Sequence, residues 1–92
     1  MEKPTRRIDH AVRQFIVERF LYGDHSAPLA DEDSLLDKGI IDSTGVLELV
    51  AYLQSEFGIE IPDEEIIPDN LDSIAKLTRY IQHKQSRVAH AG

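Results

Sequence analysis

Residues 39–65 read GIIDSTGVLELVAYLQSEFGIEIPDEE, and this stretch decides the fold. Asp42 and Ser43 are both favoured helix N-caps. Behind them Val46, Leu49, Val50, Leu53 and Phe57 recur at three- and four-residue steps, the period of an apolar helical stripe. Gly58 supplies the stop, because glycine accepts the left-handed conformation that closes a helix. Leu47 and Ala51 fall beside the stripe and are expected to be partly exposed. Ile59-Glu60-Ile61-Pro62 alternates apolar and polar residues, which predicts an extended linker. Asp63-Glu64-Glu65 with Ile66 and Ile67 reads as one or two helical turns that Pro68 stops.

Working outward, Pro4 and Thr5 give a start signal for a first helix. Its core stripe is Ile8, Ala11, Val12, Phe15, Ile16 and Phe20, and Gly23 ends it. Residues 23–42 form a long loop, expected to be anchored by Leu35, Leu36, Ile40 and Ile41. A last helix starts near Asp72 or Ser73 and buries Leu71, Ile74, Leu77 and Ile81. Residues 86–92, SRVAHAG, show no apolar period and are expected to be a disordered tail behind one domain over residues 1–85. The fold class is all-α: a small four-helix bundle of three main helices plus a short third one.

The whole chain has 92 residues, enough for one modest core that buries about 60–65% of the unfolded surface. With 41% hydrophobic and 29% charged residues it has the balance of a globular protein, not of a disordered one. It has no cysteine, which excludes disulfides, thiolate metal sites and cysteine nucleophiles. No apolar run approaches the roughly 20 residues of a membrane span, and the N-terminal residues mix Arg with Asp and Glu instead of forming a signal sequence. A cytoplasmic monomer is the expectation. The net charge of −7 has the wrong sign for a generic nucleic-acid binder. That charge is not spread evenly. Residues 24–75 carry fourteen acids against the single base Lys38, a net −13, and both flanks are weakly basic.

No group of residues assembles an active site. Ile41-Asp42-Ser43-Thr44-Gly45 lacks the first glycine of a G-x-S-x-G nucleophile elbow and the strand that such an elbow needs. His10, His25, His83 and His90 are scattered without metal-ligand spacing. Asp31-Glu32-Asp33 is not a calcium loop, since Leu36 stands where the turn demands glycine; a solvated charged loop is expected.

Gly39-Ile40-Ile41-Asp42-Ser43, followed by Leu47-Glu48-Leu49-Val50 and then Glu56-Phe57-Gly58-Ile59-Glu60-Ile61-Pro62-Asp63-Glu64-Glu65, resembles the acyl carrier protein superfamily over about Leu35 to Ile81. The resemblance implies a bundle that carries 4′-phosphopantetheine on Ser43, with Asp42 supporting the modification. It implies a carrier and not an enzyme, one that presents acyl thioesters to partner enzymes of lipid or specialised biosynthesis. It also implies a phosphopantetheinyl transferase and an AMP-forming acyl or aminoacyl ligase as partners, with no nucleic acid and no membrane. Thr44, Leu47, Glu48, Ala51, Glu56, Glu60, Glu64 and Glu65 are the candidate partner-binding residues, and Asp63 adds to their negative field. The family's usual Asp-Ser-Leu is here Asp42-Ser43-Thr44, and Gly45 stands where fatty-acid carriers often place an acid. Both departures point toward discrete carriers that serve AMP-forming ligases. An aminoacyl carrier is the first alternative. An unmodified acidic helical adaptor is the second.

Overall fold

The computed structural model describes residues 8–24, 26 and 29–91, with side chains through residue 86. The elements are α1 (Ile8–Phe20), α2 (Ser43–Phe57), a 3-10 turn (Asp63–Glu65), α3 (Pro68–Leu71) and α4 (Ile74–Ala91). There is no strand among the described residues, and the expected all-α bundle is what the chain forms. Pro4, Thr5, His25, Pro28 and Gly92 lie outside the described residues, as does the side chain of His90.

Each main helix contributes one apolar stripe to a shared core. Val12 and Ile16 come from α1, Leu49, Val50 and Leu53 from α2, and Ile74, Leu77, Tyr80 and Ile81 from α4. Leu71 of α3 and the linker residues Ile59 and Ile61 close the cluster. Burying one such side chain contributes about 1.5–3 kcal/mol. Gly58 ends α2 at φ 64, where its N–H donates to the Gln54 carbonyl. The Gln54 side chain accepts the Ile61 N–H at 2.9 Å, which fixes the linker against the helix it leaves. Ser73 caps α4, its hydroxyl accepting the Lys76 N–H at 3.0 Å.

The loop before α2 is held by hydrogen bonds as well as by apolar anchors. Leu35 and Ile41 are buried as expected, and Leu29 joins them, but Leu36 faces outward at 42% exposure. Asp72 grips the loop at three points. Its carbonyl accepts the Leu35 N–H at 2.8 Å, and its carboxylate accepts the Leu36 N–H at 2.9 Å and the Ser34 hydroxyl at 2.5 Å. The Asp31 carbonyl accepts the Ala75 N–H at 2.8 Å, and the Asp31 carboxylate pairs with Arg13. Asp33 accepts the Ala30 N–H at 2.8 Å. Two of the three acids expected to form a merely solvated run therefore tie the loop to itself and to the bundle.

The expected place of the short third helix is corrected. The turn at Asp63–Glu65 is a single 3-10 turn, and the short third helix begins at Pro68 instead of ending before it. Proline suits that first helical position, because its missing N–H would have no partner there and its fixed φ is already helical. The described helical backbone of α4 runs to Ala91. Extending an existing helix needs no new nucleus, and neither Gly nor Pro occurs between Ile74 and Ala91 to interrupt it.

Candidate functional site

The loop reaches α2 at Asp42, whose backbone is extended (φ −114, ψ −172) and whose carboxylate accepts the Gly45 N–H at 2.8 Å. The next turn closes when the Val46 N–H donates to the Asp42 carbonyl at 2.9 Å. Asp42 is thus the N-cap and Ser43 the first helical residue. The Ser43 and Thr44 N–H groups are left without an intrahelical partner, and the positive end of the α2 macrodipole lies behind them. Ser43 is exposed, and its hydroxyl makes no hydrogen bond among the described residues.

Gly45 is buried, and the reason is steric. A Cβ built on it would lie 3.0 Å from Phe20 Cε1, 3.4 Å from Asp42 Oδ1 and 3.5 Å from Ile41 Cγ2. The glycine lets the end of α1 approach the start of α2. The sequence shows only a missing acid at this position; the structure shows that a larger residue there would start against Phe20.

Beside Ser43 lies a cleft of about 440 Å³, open to solvent. Its walls are Leu35, Leu36 and Ile41 from the loop, Val46 and Leu47 from α2, and Ile66, Ile67, Pro68 and Leu71 around α3. Three of these are conspicuously exposed for apolar residues: Leu47 at 63%, and Leu36 and Ile67 at 42%. Contiguous exposed apolar surface of this kind marks a binding face. In the sequence Leu36 reads as an anchor and Ile67 as part of a short helix, so this face is legible only once the loop and α3 are brought together.

The remaining predicted site residues divide by what holds them. Thr44, Leu47, Ala51 and Glu56 are exposed on α2, and Glu60, Asp63 and Glu64 are exposed beyond it. Glu48 is engaged by α1: Arg19 donates Nε–H to its carboxylate at 2.8 Å. This hydrogen bond and the attached negative charge raise the Arg19 guanidinium further above its ordinary value. Glu65 is turned toward α4, where its carboxylate accepts the Tyr80 hydroxyl at 2.5 Å and the Lys84 ammonium at 3.0 Å. Burial, and then the hydrogen bond to Glu65, push the Tyr80 phenol well above its usual range. Nothing in the sequence signals the Arg19–Glu48 pair, whose members stand 29 residues apart.

An exposed serine at the head of a long helix, beside an open apolar cleft on a small helical bundle, is an arrangement that can present an attached group to other molecules. No group of three or more acids or histidines among the described residues can hold a metal, and no described helix is long and apolar enough to cross a membrane. Residues 14–81 match the family described as the phosphopantetheine attachment site, and the chain belongs to that family. It is 30% identical over 77 residues to D-alanyl carrier proteins of Streptococcus pyogenes serotypes M5, M49 and M1. Each match covers 82% of this chain and 96% of the relative. The protein is therefore a carrier of the acyl carrier protein superfamily and not itself an enzyme. Its cofactor is 4′-phosphopantetheine, attached covalently to a serine, and carriers of this kind work with phosphopantetheinyl transferases and ligases.

The residues present fit such a group. Five serines lie within the matched segment. Ser73 is buried as the α4 cap, the Ser34 hydroxyl is held by Asp72, and the Ser26 hydroxyl donates to Asp24 at 2.6 Å. Ser55 is exposed, but it sits toward the C-terminal end of α2, where the macrodipole repels a phosphate. Ser43 combines an exposed, unengaged hydroxyl with the favourable helix end.

Proposed function

We propose that Ser43 carries the phosphopantetheine arm and that the cargo is an aminoacyl group activated by an AMP-forming ligase. The observation that carries the first half is the position of Ser43, the one serine of the matched segment that is both exposed and at a helix N-terminus. The Ser43 and Thr44 N–H groups would face the phosphate, and the macrodipole favours its charge. Asp42 acts indirectly: it fixes the first turn of α2 and with it the direction of the Ser43 hydroxyl. The bound group supplies the thiol through which cargo is held as a thioester. The cleft lined by Leu36, Leu47 and Ile67 offers apolar surface along which the arm can lie.

The aminoacyl cargo is supported by the D-alanyl carrier relatives, which cover 82% of the chain. A second reading, an acyl cargo, is supported by the mostly aliphatic lining of the cleft, which Ser43 and Asp72 interrupt and whose volume of about 440 Å³ would shelter part of a hydrocarbon chain. The proposed partners are a phosphopantetheinyl transferase and the cognate ligase, met in the cytoplasm by a monomeric carrier.

Intact-mass measurement after co-expression with a broad-specificity phosphopantetheinyl transferase tests the site. Wild type is expected to gain one phosphopantetheine and Ser43→Ala none; equal modification of both would place the arm elsewhere. Loading the modified protein with ATP, the cognate ligase and either amino acids or fatty acids then separates the two cargoes. Thioester formation with fatty acids alone would overturn the aminoacyl reading.

A further inference from the structure

Any enzyme that reaches the Ser43 hydroxyl must also cover the face of α2 beside it. Glu48 lies five residues further on, about 7.5 Å along the helix axis. A standard interface covers about 800 Å² per partner, a disc of roughly 16 Å radius, so Glu48, about 140° round the helix from Ser43, lies toward the edge of the footprint. Only two charged residues occur in α2, Glu48 and the distant Glu56. In the first three turns Glu48 is alone. The acid before the helix, Asp42, is already bound to the Gly45 N–H.

Arg19 occupies Glu48. It reaches over from the last turn of α1, donates Nε–H at 2.8 Å, and is itself 58% exposed, with Glu48 at 42%. Its two Nη groups make no hydrogen bond among the described residues. The pair is therefore open to an arriving surface, and its charge is locally cancelled. On α2 its exposed apolar neighbours are Leu47 and Ala51. A basic partner gains nothing from Glu48 unless it displaces Arg19.

Resting on the assignment of Ser43, we propose that Arg19 is a specificity-determining residue of the docking face. By holding Glu48 it disfavours partners that dock on this face through basic side chains. Selection by an element that penalises the wrong partner is a general route to specificity.

The test is the rate at which a phosphopantetheinyl transferase with a basic contact surface modifies the purified apo-carrier, read by intact mass. One charge met at about 6 Å in water changes an encounter rate roughly threefold. Arg19→Gln is expected to raise kcat/KM about threefold at 0.01 M salt, through KM and not kcat. That gain should vanish at 1 M salt, where the Debye length is about 3 Å instead of about 30 Å. It should also vanish in Arg19→Gln/Glu48→Gln, which removes the acid that was released. Arg79→Gln on the exposed side of α4 makes the same change in net charge and should leave the rate unchanged. An equal gain in Arg79→Gln, a gain that survives loss of Glu48, or no gain in a folded Arg19→Gln would each overturn the proposal. Failure of wild type to be modified at all would overturn the assignment of Ser43 and this inference with it.

Discussion

Gly45 is the position at which the geometry sets the sign of a substitution most sharply, and Gly45→Val is the decisive change. Two effects oppose each other. Leaving glycine inside a helix gains about 0.4 kcal/mol on the helix-propensity scale. Against that, the new Cβ would begin 3.0 Å from Phe20 Cε1, and the two valine methyl groups would extend toward Phe20, Ile41 and the Asp42 cap. Phe20 has little room to retreat, since it packs edge-on against Phe15, whose ring stacks on Tyr52 at 4.0 Å. Overpacking of this kind costs about 1–3 kcal/mol. The net expectation is a loss of about 2 kcal/mol, which for a domain of this size lowers Tm by roughly 8–16 °C. Thermal unfolding followed by far-UV circular dichroism measures it directly. Phe20→Ala in the same chain opens the space, so the double variant should lose less than the sum of the single variants by at least about 1 kcal/mol. A Gly45→Val protein that melts within about 2 °C of wild type, or strictly additive losses, would refute the steric account.

Two further predictions follow from the caps and the buried phenol. Asp42→Ala removes the acceptor of the Gly45 N–H and is expected to lower stability by about 1 kcal/mol, seen as a lower urea midpoint at unchanged m-value, while Asp42→Asn keeps most of the cap. Tyr80 is held neutral by burial and Glu65, so its stabilising contribution is complete below the ordinary phenol pKa of 10.0 and is lost as pH rises toward the raised folded value. The stability gap between wild type and Tyr80→Phe should therefore be constant below pH 10.0 and narrow above it, as read from urea midpoints across that range; a gap that widens there would refute the assignment.

What the sequence discloses and what it hides follow a physical division. The α2 stripe, its Asp42 cap and its Gly58 stop are local signals, written within four residues of where they act. The Leu77 and Ile81 face of α4 is legible for the same reason. Pro68 shows how one residue can support two readings, because proline ends a helix that comes before it and begins one that comes after. The bulkiness of that stretch does not say which; the extended backbone at Ile67 does. Asp72 and Ser34 meet across 38 residues, and Arg19 and Glu48 across 29. Such pairs depend on the packing of whole helices and leave no trace in spacing. Glu48 and Glu65 look alike in the sequence as members of one acidic block. In the fold one is held by α1 at the edge of the docking face, and the other is drawn toward Tyr80 and Lys84.

The two requirements of a carrier pull against each other, and the loop before α2 reconciles them. A modifiable hydroxyl must stand in solvent, yet its direction must be fixed if different enzymes are to find it. Exposure alone would leave Ser43 on a mobile segment, because a long loop in so small a domain has few apolar residues with which to order itself. Here the buried side chains of Leu29, Leu35 and Ile41 and the three-point grip of Asp72 fix the loop up to the residue before the cap. The Asp42 cap then transmits that order into α2. The same grip turns Leu36 outward, because its N–H is tied to Asp72 while Leu35 fills the core, and so builds one wall of the apolar cleft. Asp72 thus orders the approach to Ser43 and shapes the surface beside it, so the fixed start of α2 and the exposed apolar wall of the cleft arise from one carboxylate and its backbone carbonyl.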